Sequence, residues 1–251
     1  MTPSLGFGID IGGSGVKGAP VDLTTGALTA ERLRLPTPSP SKPQPVAETV
    51  AELVAAFDLP ADLPLGLTFP APIKHNVVGF IANLHKSWKG VDVDELFTEA
   101  IGRDVVAVND ADAAGVAEAA FGAARGVPGV VIVTTLGTGI GSALLVDGTL
   151  VPNTELGHLE IDGHDAERRA SSGVREAEDL SWREWADRLQ RFYETVEMLF
   201  SPDLLVVGGG VSRKHEKFLP LLRTKAPIVP AELRNSAGIV GAAYLAAQTD
   251  G

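Results

Sequence analysis

The sequence predicts an α/β fold, and three observations carry that expectation. Apolar segments of strand length recur along the chain, helical segments alternate with them, and three of the apolar segments run straight into Gly-rich turns. Leu5 to Ile11 is apolar apart from Asp10, and Val16 to Leu23 and Leu28 to Leu35 follow as second and third strands. Pro36 to Pro45 holds five prolines with Ser, Thr and Lys, the chemistry of a loop, and a helix is expected over Val46 to Phe57. Leu65 to Phe69 and Asn76 to Ile81 are further short strands, and Val91 to Ile101 is a helix with its acids outward. Asp104 to Val108 is a strand leading through Asn109-Asp110-Ala111-Asp112 into an Ala-rich helix that ends near Gly122. Val130 to Thr135 and Ile140 to Val146 flank Leu136-Gly137-Thr138-Gly139 as a hairpin. Trp182 to Phe200 is a helix, Leu204 to Val207 a buried strand and Ala237 to Ala247 a closing Ala-rich helix.

Composition limits the function classes. With 251 residues, 45% of them hydrophobic, the chain can bury a substantial core, as one large domain or as two small ones joined by a cleft. No apolar run reaches the roughly 18 to 20 residues that cross a bilayer, and Met1 to Gly6 has no signal-peptide pattern, so the expectation is a soluble, cytoplasmic protein. The absence of cysteine excludes disulfides and thiolate metal sites, so any metal must use oxygen or imidazole ligands. A net charge of -11 disfavours nucleic acid and anionic membranes as partners. It leaves room for a phosphate substrate, because exposed charges are screened beyond about 8 Å at cellular salt and a local basic path can prevail.

Gly13-Ser14-Gly15-Val16-Lys17-Gly18 matches the glycine spacing of a dinucleotide site, but the segment that follows is a strand and no acid stands about 20 residues on. A Walker A loop fails because Lys17 is followed by Gly18. What remains is a strand, a Gly-rich turn and a strand, which is either a plain hairpin or a set of backbone N–H groups presented to phosphate oxygens. Leu136-Gly137-Thr138-Gly139-Ile140-Gly141 and Gly208-Gly209-Gly210 are turns of the same kind. Three such turns after apolar strands favour a phosphate channel, since phosphate needs a close backbone approach that a Cβ would obstruct. Asn109-Asp110 at a strand end is either a helix cap or a carboxylate presented where ligands bind in α/β folds. Glu155-Leu156-Gly157-His158-Leu159-Glu160 is either a solvated loop or a set of groups that hydrogen-bonds sugar hydroxyls. Metal binding by His158 has little support, with no second His or Cys at ligand spacing.

Taken in order, these segments resemble the ROK family of sugar kinases and regulators, members of the actin-like hexokinase superfamily. Asp10-Ile11-Gly12-Gly13 resembles the family's first phosphate motif and Asn109 to Gly115 its catalytic segment; Thr135 to Gly141 resembles the second phosphate motif and Glu155-Leu156-Gly157-His158 the sugar motif. Gly208 to Ser212 and Ala237 to Ala243 extend the likeness towards the C-terminus. More narrowly, Leu67 to Ile73, Asn83 to Trp88 and Pro152 to Asp162 resemble the polyphosphate-using glucokinases of actinobacteria within that family. The family commonly follows its sugar motif with a Cys-rich zinc site, whereas Asp162 to Arg169 holds no cysteine, so structural zinc is expected to be absent.

The resemblance implies an actin-like ATPase (ribonuclease H-like) fold of two α/β domains, residues 1–108 with 235–251 and residues 109–234, and an active site in the cleft between them. It implies phosphoryl transfer to the glucose 6-hydroxyl, with Asp110 as general base and Asn83, Asn109, Asp110, Glu155, His158 and Glu167 on the sugar. Gly12, Gly13, Ser14, Lys17, Thr135, Gly137, Thr138, Gly139, Gly209 and Gly210 would hold phosphate, and Asp10 would hold Mg²⁺ through water. The implied donor is polyphosphate and the implied assembly a homodimer; the alternative is an ATP-dependent, or dual ATP/polyphosphate, hexokinase that also accepts mannose. Lys17, Lys74, Lys86, Arg213, Lys214 and Lys217 are candidates for a cationic polyphosphate track, or else ordinary surface charges. A sugar-sensing regulator of the same family is disfavoured, because the first phosphate strand begins by Leu5 and leaves no room for a DNA-binding domain. A sugar-binding protein without catalysis is disfavoured by Asp110 and the three Gly-rich turns.

Overall fold

Leu5–Gly12 (β1) and Gly15–Asp22 (β2) form an antiparallel hairpin whose side chains Phe7, Ile9, Val16 and Ala19 are fully buried. Leu33–Leu35 (β3) adds antiparallel to β2. The computed structural model describes residues 4–79, 81 and 85–249, and the chain divides into two units, Met1–Ala113 with Ser236–Gly251, and Ala114–Asn235.

In the first unit Pro43–Ala55 (α1) follows the Pro-rich segment. It begins three residues before the expected Val46, because proline is tolerated in a helix's first turn, where its missing N–H has no intrahelical partner. Leu65–Phe69 (β4) is buried at every position and lies parallel to β1. Ile73–Lys74 (β5) and Val77–Val78 (β6) form a small hairpin, so the strand expected over Asn76 to Ile81 is shorter where it is described. The strand expected over Leu28 to Leu35 likewise contracts to β3 and one bridge from Leu28 to Val21. Val93–Ile101 (α2) is capped by Asp92, whose carboxylate accepts from Glu95 N at 3.0 Å, and ends on left-handed Gly102. Val106–Asn109 (β7) pairs parallel with β4, and Asp110–Phe121 (α3) starts at the next residue. The sheet order is β3-β2-β1-β4-β7.

The second unit repeats that plan. Val130–Leu136 (β8), Ile140–Val146 (β9) and Thr149–Val151 (β10) form an antiparallel meander. Glu160–Ile161 (β11) and His164–Asp165 (β12) make a two-stranded ribbon, followed by the short helices Glu167–Ala170 (α4) and Ser172–Ala177 (α5). Trp182–Phe200 (α6) buries Trp185, Ala186, Leu189, Phe192, Tyr193 and Val196, one face of a 3.6-residue period, and opens with a Ser181/Glu184 capping box. Leu204–Gly208 (β13) lies parallel to β8, and Ile228–Pro230 (β14) parallel to β13, giving the order β10-β9-β8-β13-β14. Both sheets thus run antiparallel, antiparallel, parallel, parallel in the same sense. The β1–β2 turn and the β8–β9 turn occupy the same topological position in the two units.

The chain returns to the first unit in Ala237–Thr249 (α7), an Ala-rich helix lying against β1 and β4. That approach is close enough that a Cβ on Gly8 would strike the Ile239 carbonyl oxygen and one on Gly66 that of Ala242. Among the described residues no helix is long and apolar enough to cross a membrane.

Gly66→Ala therefore forces α7 away from the sheet or bends β4, a clash with main chain that no rotamer change relieves. The expected cost is about 3 kcal/mol, measured as a lowered urea midpoint, whereas Gly79→Ala, which meets nothing within 4 Å, should stay within about 0.5 kcal/mol of the parent.

Candidate active site

The carboxyl ends of β1, β4 and β7 carry the first set of polar groups. Register places Asp10 opposite Thr68 and Thr68 opposite Val108, so Asn109 lies one step and Asp110 two steps beyond the row that holds Asp10. At ordinary strand spacing the rows of β1 and β7 are about 10 Å apart. Asp10 also faces Lys17 across the hairpin, and Lys17 Nζ donates to Asp10 Oδ2 at 2.9 Å. The buried Thr68 hydroxyl donates to Asp10 Oδ1 at 3.0 Å and accepts from Ile11 N at 3.3 Å. Asp10 is therefore fixed by one cation and one hydroxyl, and Lys17 is engaged by that carboxylate. Beside them Gly13 and Ser14 are exposed; Thr37 Oγ1 donates to Gly12 O at 2.6 Å and Arg34 Nη2 to Ser14 O at 2.7 Å, so the turn is tied down through its carbonyls. Phosphate would take N–H groups, which these bonds leave alone.

At Asn109-Asp110 the helix cap is made by the asparagine. Asn109 is buried and its Oδ1 accepts from Ala111 N at 2.9 Å and Asp112 N at 3.1 Å, which is the capping geometry. Asp110, partly exposed, takes a hydrogen bond from Ala111 N at 2.9 Å on Oδ1. Its carboxylate thus stands at the positive end of α3.

The second set lies wholly in the second unit. In the β8–β9 turn Gly137 N donates to Gly139 O at 3.0 Å, and Glu167 Oε2 accepts from Ile140 N at 3.1 Å. A Cβ on Gly139 would collide with that carboxylate, so Glu167 rests directly on the turn. Thr135 pairs with Gly208 across the parallel β8–β13 ladder, and Gly209, at φ +81°, approaches the Leu136 backbone too closely for any side chain. The second and third Gly-rich turns are therefore neighbours, with Thr138 and Gly210 exposed at their tips.

The sugar-motif loop is held to the same hairpin. Ser142 Oγ on β9 donates to Thr154 O at 2.6 Å and accepts from Leu156 N at 2.9 Å, which brackets Glu155. His158 Nδ1 bonds Asp165 Oδ2 at 2.9 Å, and Asp165 Oδ1 accepts from Glu167 N at 3.2 Å. Asp165 links two expected sugar residues, yet it stands in the sequence as an ordinary loop acid after Gly163; only the β11–β12 ribbon turns it towards His158. Burial pushes the Glu155 carboxyl up from its ordinary range, with His158 opposing and Glu167 adding. Burial pulls the His158 imidazole down, but the Asp165 hydrogen bond and the charges of Glu167, Asp165 and Glu155 outweigh it, so the net direction is upward. One oxygen or nitrogen from each of His158, Asp165 and Glu167 lies within 4.8 Å of the others. That spacing answers the missing second ligand noted for His158, but in these positions the Asp165 and Glu167 oxygens already accept from His158, Glu167 N and Ile140 N.

Of the remaining expected residues, Asn83 lies outside the described residues. Lys74 is exposed on β5, and Lys86 is exposed at the start of the turn Lys86–Trp88. Arg213, Lys214 and Lys217 are exposed on the 3₁₀ segment Gly210–Lys217.

Residues 6–171 match the model of the ROK family. The chain is 50% identical over 243 residues to the polyphosphate glucokinase of Mycobacterium tuberculosis, covering 96% of this chain and 91% of that one. It is 47% identical over 239 residues to the polyphosphate glucokinase of Mycobacterium leprae, covering 95% and 73%. Among solved structures it superposes on the inorganic polyphosphate/ATP-glucomannokinase of Arthrobacter sp. strain KM with a TM-score of 0.94 and 55% identity, over 98% of this chain and 100% of that one. A glucokinase of Streptomyces griseus, solved with glucose and AMPPNP, matches with a TM-score of 0.82 at 24% identity, over 97% and 99%, a likeness of fold. The paired five-stranded sheets, the Gly-rich turn repeated at the same point in each and the match over residues 6–171 lead to one assignment: the chain has the actin-like fold of the sugar kinases and belongs to the ROK family.

Proposed function

We propose that this protein is a polyphosphate-dependent glucokinase, which transfers a terminal phosphoryl group to the glucose 6-hydroxyl and yields glucose 6-phosphate. The observation that carries this reading is the bond from Ile140 N to Glu167 at the β8–β9 turn, with His158 tied to Glu167 through Asp165 and Glu155 bracketed by the Ser142 bonds to its two neighbours, which puts hydroxyl-orienting groups beside backbone suited to phosphate. The 50% identity with a polyphosphate glucokinase over 96% of the chain supports the same activity.

In this mechanism Asp110 accepts the proton of the 6-hydroxyl as that oxygen attacks the terminal phosphorus in line. Asn109 spends its carbonyl oxygen on the helix cap, so its NH₂ group is the part that serves a sugar oxygen. Glu155, His158 and Glu167 orient the other hydroxyls, with Asn83 assigned the same task from the resemblance. Gly12, Gly13 and Ser14 and the turns at Thr135 to Gly139 and Gly209-Gly210 offer N–H groups and hydroxyls to phosphate oxygens. Asp10 fits a Mg²⁺ held through water: its ligands are oxygens, it is partly exposed, and Lys17 and Thr68 fix its direction. When bound, that cation neutralises charge on the transferring phosphoryl group. A homodimer in the cytoplasm, without nucleic acid, is supported by the resemblance. The Arthrobacter relative, by name a polyphosphate/ATP-glucomannokinase, favours ATP as second donor and mannose as second sugar.

Glucose phosphorylation measured side by side with long-chain polyphosphate and ATP tests the donor; no turnover with polyphosphate would overturn the reading. Asp110→Asn should lower kcat by about 10³-fold or more while glucose binding by calorimetry changes little. Near-parental turnover in that variant would remove Asp110 from the role of base.

We also assign Asp165 as a positioning residue for His158. With a folded-state pKa above its unfolded value, protonated His158 contributes stability that is fully present below the ordinary histidine range and lost as pH rises through the raised value. Asp165→Asn should move the His158 titration, followed by NMR of the ring protons, to lower pH and raise KM for glucose more than it lowers kcat. An unmoved titration would show that the Asp165 contact does not control the imidazole.

A further inference from the structure

Two segments leave the phosphate turns of the second unit and meet again at one side chain. The helix α5 is anchored to the β8–β9 turn by Gly173 N, which donates to Gly137 O at 2.9 Å. The segment Gly210–Lys217 departs from Gly209, itself seated on Leu136. At their far ends stands Trp182, the first residue of α6. The Arg175 guanidinium from α5 stacks 3.8 Å from its ring centroid, and Lys217 Nζ and Lys214 Nζ lie 5.7 Å and 6.0 Å from it. Phe218 stacks on the same indole at 6.1 Å and 14°, and Trp185 meets it edge-on at 5.9 Å, so the ring is a fixed platform.

What needs explaining is the absence of partners. The chain has 32 acids against 21 Lys and Arg, yet among the described residues no carboxylate pairs with Arg175, Lys214 or Lys217. Arg175 Nε is buried with no hydrogen-bond partner among them. Gathering three like charges on one ring costs repulsion that cation–π attraction only partly offsets. From Arg213 to Lys217 three cations stand against one acid, Glu216. A local cationic field in an acidic protein is the arrangement that captures a polyanion. The stacked guanidinium, its Nε buried, would meet phosphate oxygens through its Nη groups.

We propose that this cluster is a distal phosphate subsite: a polyphosphate chain whose end lies at the β8–β9 turn continues along α5 and Gly210–Lys217 and docks its later phosphates on Arg175, Lys214 and Lys217 around Trp182. The proposal rests on the donor assignment above. A donor with too few phosphates to extend beyond the turn gains nothing from the cluster, so the subsite selects for chain length.

Calorimetric binding of long-chain polyphosphate and of tripolyphosphate, for the full-length protein and for the variants Lys214→Gln/Lys217→Gln and Arg175→Gln, tests this. Long-chain affinity should fall about tenfold in each variant, with tripolyphosphate affinity within about twofold of the parent. The slope of log affinity against log salt should shrink by roughly one to two in the double variant, and Lys214→Arg/Lys217→Arg should restore it. Unchanged long-chain binding, equal losses for both ligands, or failure of the parent to bind long chains would each overturn the subsite. A parent that binds long chains without phosphorylating glucose would instead overturn the donor assignment and leave the subsite standing.

Discussion

The seven-pair antiparallel ladder between β8 and β9 is the constraint on which the second unit's site depends. It is packed on both faces: Ile132, Leu136 and Ile140 are buried on one, where the Thr134 hydroxyl meets the buried Tyr193 hydroxyl at 2.8 Å, and Val131, Val133, Ala143 and Leu145 on the other. A one-residue slip would exchange the two sets between cores built for the other, so packing on both faces fixes the register that ends in the turn at Gly137 to Gly139. Everything that defines the site is then hung on the hairpin: Ser142 gathers the sugar loop, Ile140 N holds Glu167, and the parallel neighbour β13 delivers Gly209 onto Leu136. The backbone of the turn is thus ordered by packing alone, and a ligand that binds a preformed loop does not spend binding energy on ordering it.

The same plan handles charge differently in the first unit. There the hairpin carries an opposed pair, Asp10 with Lys17, and the buried Thr68 hydroxyl on the neighbouring parallel strand aims the carboxylate. Asn109 caps α3 through two backbone N–H groups, and Asp110 is the first residue of the helix. Asp110 is thereby left a part-exposed carboxylate at a helix N-terminus.

Electrostatics also separates the two faces of the second unit's machinery. Around the sugar motif Glu155, Asp165 and Glu167 surround one imidazole and hold its proton more tightly than water would. Around Trp182 the balance is reversed, with cations gathered on an aromatic platform. An acidic protein can therefore carry an anionic cluster and a cationic one in the same unit, because each field fades over a screening length of about 8 Å.

By itself the sequence determined the alternation of strands and helices, the glycine turns and the junction Asn109-Asp110, because each rests on local chemistry: apolar periodicity, the need for bare backbone and the capping preference of short polar side chains. Short and edge elements escaped it. The small strands β10, β11, β12 and β14 are two or three residues long, too short for a period to register, and α1 began inside a proline run that reads as loop. Only the tertiary structure decided which acid faces His158, that Glu167 reaches Ile140 N across 27 positions, that Lys17 answers to Asp10, and that Arg175 and Lys217 converge on Trp182. These are pairings between residues whose own neighbours in the chain carry no mark of them, and they exist because strand register and helix docking bring distant backbone together.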